Sequence, residues 1–330
     1  MEYRRLGKSG LKVSEVGLGG ASFGGITNEK DSIAVIHRAL DLGVNLIDGA
    51  DVYGIFGGEV GSSEICIGKA LKGRRSEAIL STKFGGAMGK GPKDRGGSRY
   101  HILKAVEASL KRLETDYIDI YYIHHPDPST PIEETLSAMD SLVRSGKVRY
   151  IGGCNFTAWQ ICEALWTSRL NNLEPFIVAQ SPYNPLDRRI EAEVIPCCQA
   201  YGLGLITYWP LAEGFLTGKY QRGKPASGGR LADPRFKRMA DGVLREKNFD
   251  ILEKLQAFAK DHGHTVADLA IAWLLAHPYV NSFAAAATKP EQVSANVAAA
   301  GWKLTPQELA EVDTLLPEVP GPDYLTTAKR

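Results

Sequence analysis

Neither sign of charge predominates in this chain. Its 330 residues carry 39 Lys and Arg against 38 Asp and Glu, a formal net charge of +1. The electrostatic footprint of a nucleic-acid binder is therefore missing, and so is a polybasic anchor for membranes. Long apolar runs are also missing: no window reaches the roughly 20 residues of a membrane span. The first ten residues, MEYRRLGKSG, hold two arginines with no apolar stretch behind them, unlike a secretory signal. A cytoplasmic protein is the expectation, with no nucleic acid or membrane among its partners. Cysteine is scarce. Cys66, Cys154, Cys162, Cys197 and Cys198 form no C-x-x-C pair, and an odd count argues against a disulfide framework.

The usual nucleotide motifs fail as well. GLGGASFGG (17–25) is rich in glycine, but a G-x-G-x-x-G starting at Gly17 needs glycine where Ser22 stands. GFLTGKY (214–220) contains Gly218-Lys219, yet Glu213 occupies the place of the first P-loop glycine and Tyr220 that of Ser or Thr.

What is present is an alternation of apolar strand-like runs with helical patterns. The runs are 16–18, 46–48, 79–83, 118–124, 148–154, 176–180, 203–208 and 282–286. Between them, Ile33, Ile36 and Leu40 share a helical face, as do Ile102, Val106, Leu110 and Leu113 after Ser98, and Ile132, Leu136, Met139 and Val143. Thr130-Pro131 with Glu133, and Thr305-Pro306 with Glu308, read as capping boxes with proline at the first helical position. Gly146 is a plausible helix stop. Eight strand–helix units over this length predict a (β/α)8 barrel forming one domain, 1–330. A doubly wound sheet would want the glycine fingerprint that is missing. Two long loops, 85–97 and 209–242, follow the third and seventh strands. In a barrel they lie at the C-terminal face, where active sites are built.

Polar residues end the apolar runs. Asp48 closes NLID, Lys83 closes AILSTK, His124 closes IYYIH and Gln180 closes FIVAQ; Asn155 follows YIGGC and Tyr53 lies five residues past Asp48. Taken singly, each has a bland reading: a cap, a solvated lysine, a satisfied core histidine. All six at corresponding strand ends point to one shared mouth. His124 and His125 are adjacent, and strand alternation predicts that only one faces it.

In NLIDGADVYG, STKFG, DYIDIYYIHHPD, GKVRYIGGCNF, AQSPYNPLDRR, YWPLAEGFLTGKY and TKPEQVSAN, taken in that order and spacing, the chain resembles the aldo-keto reductase superfamily over nearly its whole length. Its bacterial reductases and potassium-channel β subunits are the nearest branch. The resemblance implies a (β/α)8 barrel with an N-terminal β-hairpin and an extra C-terminal helix, binding a nicotinamide cofactor without a Rossmann motif. It implies the catalytic tetrad Asp48, Tyr53, Lys83 and His124, with His125 at the rim. Tyr53 would protonate the carbonyl oxygen of an aldehyde or ketone. Its phenol ordinarily titrates at about 10, and the Lys83 ammonium, held by Asp48, is expected to lower that value. His124 would orient the carbonyl.

The resemblance also implies a cofactor site. Asn155 and Gln180 bind the nicotinamide carboxamide, Tyr208 stacks on the ring, and Gly20, Ala21, Asp48 and Cys154 are further cofactor contacts. Trp209, Pro210, Leu211 and Ala212 line the pyrophosphate. Lys219, Arg230, Ala286, Thr288, Lys289, Gln292 and Asn296 hold the adenosine end. Three cations, Lys219, Arg230 and Lys289, favour NADP(H), because a 2′-phosphate takes charge-assisted hydrogen bonds. Ala295 stands where a glutamate often contacts the adenosine, Cys154 where serine is usual, Trp209 where serine is common, and Ala285-Ala286 in place of Pro-Gly. The expected substrate pocket is Ala21, Ile55, Phe56, Phe84, His125 and Trp209, an apolar and aromatic mouth. Two other readings are a channel-type regulatory protein, which would carry asparagine in place of His124, and a barrel hydrolase using His124, His125 and Asp48 as metal ligands. Side-by-side strand histidines are poor joint ligands, so no metal is expected.

Overall fold

The computed structural model describes residues 1–54 and 57–319. Eight short apolar strands, β3 (Val16–Gly19), β4 (Leu46–Asp48), β5 (Ile79–Phe84), β6 (Ile118–Ile123), β7 (Val148–Cys154), β8 (Val178–Pro182), β9 (Gly204–Tyr208) and β10 (Ser282–Ala286), close into a barrel. Every neighbour is parallel, and β10 returns to pair with β3. Helices α1 (Glu29–Asp41), α2 (Ser62–Leu71), α3 (Arg99–Leu113), α4 (Ile132–Arg144), α5 (Ala158–Leu170) and α6 (Val194–Tyr201) follow the strands in turn. The β9–β10 connection carries α7 (Lys237–Val243), α8 (Glu246–Asp261) and α9 (Val266–Ala276); α10 (Pro290–Ala299) and an extra α11 (Pro306–Leu315) come last among the described helices. This is the expected (β/α)8 barrel, with the predicted hairpin, β1 (Tyr3–Arg5) and β2 (Lys12–Ser14), ahead of it.

Strand alternation divides the core in two. Outward side chains such as Leu18, Ile47, Leu80, Tyr121 and Ile151 meet the helices in one large cluster. Inward side chains Leu46, Ile120, Tyr122, Cys154, Val178 and Ile206 fill the barrel itself, joined by Leu6 and Val13 from the hairpin. The hairpin is thus a plug at the N-terminal end. It docks where a Cβ on Gly7 (φ +57) would fall 2.4 Å from the Gly204 nitrogen, so only glycine permits the approach. Arg4 secures it by donating to the Val280 and Leu275 carbonyls.

Ser98 accepts from the His101 amide, and Thr305 with Glu308 forms the predicted capping box. Thr130 does not cap α4. Its hydroxyl donates instead to Asp127 Oδ2 at 2.8 Å, because that carboxylate already gathers Gly97 N and Ser129, and Pro131 takes the N-cap position. Strand bounds shift by one or two residues in five strands: β3 runs on to Gly19, β5 to Phe84, β8 spans Val178–Pro182 rather than 176–180, β9 starts at Gly204, and β6 stops at Ile123, leaving His124 beyond it.

Leu6 is fully buried inside the barrel. Leu6→Ala should leave a cavity and destabilise the protein by about 2–5 kcal/mol, read as a lower urea midpoint. An unchanged midpoint would mean that the plug contributes no packing.

Candidate active site

The strand registers bring the polar ends level. Gly19 lies opposite Asp48, Asp48 opposite Ser81, Lys83 opposite Tyr122, and Cys154 opposite Gln180. Lys83 points inward, and its Nζ donates to Asp48 Oδ2 at 2.6 Å and to the Gly49 carbonyl at 2.8 Å. Ser81, two residues earlier on the same strand face, donates to Asp48 Oδ1 at 2.6 Å. The Lys83 and Asp48 side chains are 1% and 5% exposed. Tyr53 comes from the β4–α2 turn, with its ring centroid 5.1 Å from Lys83 Nζ. Gly54, at φ +112, lets the chain swing away, since a Cβ there would fall 2.2 Å from the Glu59 carbonyl oxygen. His124 meets the Tyr53 ring edge-on at 5.7 Å. Its amide donates to the Phe84 carbonyl at 2.8 Å, so it stays tethered to β5 although the strand has ended.

Because β6 stops at Ile123, strand alternation does not separate the two histidines. Their rings stack, 4.9 Å apart and 8° from parallel, with His124 half-buried against Tyr53 and His125 exposed.

The protonation states follow from burial and one fixed charge. Burial works to discharge Lys83, but the Asp48 carboxylate prevails and holds its pKa above the ordinary lysine value. Burial pushes the Tyr53 phenol up to about 12; the Lys83 ammonium pulls against this without winning, and Asp48 adds to the rise. The expected lowering by Lys83 is present, but desolvation is the larger effect and the net shift is upward. Burial, then Lys83, then His125 press His124 down to about 2, a neutral imidazole. Burial lifts the Cys154 thiol to about 12.

Beside the tetrad, Cys154 Sγ donates to Gln180 Oε1 at 3.3 Å. That leaves Gln180 Nε2 buried with no partner among the described residues. Asn155, in a left-handed conformation (φ 63), donates to the His124 carbonyl at 2.9 Å and accepts from the Tyr208 hydroxyl at 2.5 Å. An orphaned buried donor costs about 1–3 kcal/mol unless something accepts from it. A carboxamide oxygen is such an acceptor, so these residues fit a nicotinamide.

The segment after β9 has positive φ at Trp209, Ala212 and Glu213, with Pro210 and Leu211 between them. Asn184 Nδ2 holds the Trp209 carbonyl at 3.1 Å. Arg230 donates to Glu213 Oε2 at 2.6 Å, and the Glu213 side chain is 3% exposed. Lys219 is exposed, 5.1 Å from the Tyr220 ring; burial and then the Arg230 charge lower its pKa. Two cations thus neighbour each other here, one of them tied to a carboxylate. At α10, Lys289 is exposed, Asn296 is buried, and Gln292 Oε1 accepts from the Thr288 amide at 2.7 Å. Ala286 is exposed at the end of β10, opposite Gly19, and Gly20 donates its amide to the Asp48 carbonyl at 2.7 Å.

Of the expected substrate pocket, Ala21 is half-buried and Trp209 exposed, the latter edge-on to Tyr208 at 5.1 Å. Phe84 is not in the mouth. It is fully buried against Tyr121 at 4.9 Å on the helix side, because Lys83 beside it takes the inward direction. Ile55 and Phe56 lie outside the described residues. Sequence reading passes over Ser81, whose signal is its two-residue spacing from Lys83, and Glu213 and Asn184, which give none.

This constellation on a parallel barrel defines a class, and sequence comparison identifies it. The sequence model of the Aldo/keto reductase family matches residues 15–317. The chain is 38% identical to "Probable voltage-gated potassium channel subunit beta" of Oryza sativa subsp. japonica, over 97% of this chain and 98% of that one. It is 35% identical to "Aldo-keto reductase YhdN" of Bacillus subtilis (strain 168), over 100% and 99%. It is 34% identical to "L-glyceraldehyde 3-phosphate reductase" of Escherichia coli (strain K12), over 95% and 92%. The chain belongs to the aldo/keto reductase family, a family of oxidoreductases. Among the described residues, no helix is long and apolar enough to cross a membrane.

Asp48→Ala strands a buried ammonium and should cost about 3–5 kcal/mol of stability. Adding Lys83→Met should recover part of that loss, giving a double-mutant cycle with strong coupling in urea unfolding. Additive losses would show that the two charges act independently.

Proposed function

We propose that the protein is an NADP(H)-dependent reductase of aldehydes and ketones, running reversibly to the alcohol. The observation that carries this reading is geometric: Lys83 Nζ, 2.6 Å from the Asp48 carboxylate, lies 5.1 Å from the Tyr53 ring centroid, and the His124 ring meets that ring edge-on at 5.7 Å. When bound, the nicotinamide supplies hydride to the carbonyl carbon. Gln180 Nε2 and Asn155 would hold its carboxamide, and Tyr208 would pack against its ring. The substrate oxygen sits between Tyr53 and His124. As negative charge grows on that oxygen, Tyr53 donates its proton. The phenolate left behind is stabilised by Lys83, which Asp48 keeps charged and in place. Neutral His124 donates an N–H to the same oxygen, orienting and polarising it. A mouth bearing Trp209, His125 and small Ala21 suits an aromatic or aliphatic carbonyl, or a keto sugar stacked on an aromatic face. A regulatory role of the channel β-subunit type is the second reading, favoured by the rice relative. It would bind nucleotide with little turnover. The histidine at position 124 argues for turnover.

Tyr53→Phe should bind cofactor normally and lose ~10²–10⁴-fold in reduction rate, the worth of a general acid. With its phenol at about 12 and His124 at about 2, the wild type holds both groups in their working forms from acid to alkaline pH. The reduction rate should therefore be flat across that range, while alcohol oxidation, which needs the phenolate, climbs as pH rises. Near-normal turnover in the mutant would remove Tyr53 from the chemistry, and an acid limb near the ordinary histidine pKa would contradict neutral His124.

Cofactor preference has its own test. Removing one hydrogen bond to the 2′-phosphate should weaken binding about tenfold or more. Lys289→Ala, and Arg230→Ala made together with Glu213→Gln so that no buried carboxylate is stranded, should weaken NADPH and leave NADH nearly untouched. Fluorescence titration with both cofactors decides. Equal weakening, or wild-type preference for NADH, overturns the NADP assignment.

A further inference from the structure

Helices α5 and α6 lie on the outside of the barrel, away from the tetrad, and share a seam. Cys162 on α5 and Cys197 on α6 face each other with their sulfurs 3.6 Å apart. One turn further along both helices, Trp166 Nε1 donates to the Tyr201 hydroxyl at 3.1 Å. The two pairs therefore hold α5 and α6 parallel and in register, so the thiols meet through the packing of the whole seam. Cys162 is half-buried, within reach of a small solute, while Cys197 is buried and donates to the Ala158 carbonyl. No step of the carbonyl chemistry uses either.

We propose that Cys162 and Cys197 are an oxidisable pair, a modification site at which a hydroperoxide installs a disulfide that staples α5 to α6. Cys162 is the thiol oxidised first, because it is the more exposed. As its thiolate, it attacks one peroxide oxygen, the O–O bond breaks, and hydroxide leaves to be protonated to water. Cys162 is now a sulfenic acid. The Cys197 sulfur then attacks the Cys162 sulfur, the S–O bond breaks, and the departing hydroxide takes up the Cys197 proton as the second water. Two thiols and one hydrogen peroxide thus give one disulfide and two waters, the sulfur pair oxidised by two electrons and the peroxide reduced by two. Burial lifts the Cys197 thiol to about 12, which keeps it a thiol until a sulfenic acid forms beside it. Rotation of two facing side chains closes the remaining gap. The staple joins helices that follow the strands bearing Asn155 and Gln180, and fixes their spacing from outside.

The test exposes the full chain to a small excess of hydrogen peroxide at neutral pH. Remaining thiols are alkylated after denaturation, and peptides are mapped without reduction. The expected product is a Cys162–Cys197 linked peptide pair, two hydrogens lighter than the thiols, with Cys66, Cys154 and Cys198 alkylated. Oxidation should raise the melting temperature by roughly 5 °C, as closing a loop of this length does in a chain of this size, and dithiothreitol should reverse the shift. In Cys197→Ser, Cys162 should stop at a sulfenic acid trapped by dimedone. Recovery of Cys162 as the free thiol, its passage to sulfinic acid with Cys197 unchanged in the wild type, or a bridge to Cys198 instead would each overturn the proposal.

Discussion

The ammonium of Lys83, 2.6 Å from the Asp48 carboxylate in a nearly dry barrel end, sets the terms for everything around it. A buried charge is tolerated only when paired and hydrogen-bonded. Here Asp48, the Gly49 carbonyl and Ser81 supply that pairing. Once fixed, the positive charge helps keep His124 neutral and pulls on the Tyr53 phenol. Closure of the barrel is what permits the pair to exist. The strand registers bring Asp48 level with Ser81, and Lys83 lies on the same inward face two residues on. The apolar inner cluster and the hairpin plug close off water from the opposite end.

Burial and charge compete at Tyr53, and burial wins. In the proposed reaction, that outcome suits a proton donor. A phenol lowered toward neutrality would spend part of its time as phenolate, unable to donate. A phenol near 12 is fully loaded, and in the proposed reaction the ammonium would act when the proton leaves, on the phenolate then formed. The stabilisation would thereby be concentrated on the transition state of that proposed reaction rather than on the resting group, which is where it accelerates a reaction.

Much of this is legible in the amino-acid order, for a physical reason. Parallel barrel strands are buried on both faces and read as unbroken apolar runs, so a Lys or Asp at the end of one stands out. Where the order misleads, it misleads on direction. Nearness to Lys83 suggests the mouth for Phe84, although adjacent strand residues point apart. Opposite faces for the two histidines require β6 to reach His124, but the strand stops one residue short and both rings stack. Thr130 matches a capping pattern, yet the Asp127 carboxylate, three residues away, is the stronger partner. The Glu213–Arg230 pair spans a loop with no periodicity, and nothing in the residue order foretells it.

That loop carries three of the six non-glycine residues with positive φ among the described residues. Trp209, Ala212 and Glu213 each adopt a backbone conformation that side chains disfavour, and such residues cost on the order of 1–3 kcal/mol apiece. Strain of this size persists only where neighbours over-determine it. Asn184 grips the Trp209 carbonyl, and Arg230 grips the Glu213 carboxylate, so the segment is pinned at both ends by side chains from elsewhere in the chain. None of the tetrad carries such strain. The scaffold thus holds Asp48, Tyr53, Lys83 and His124 without positive φ, while this strained segment lies in the loop that leaves β9 beside the mouth.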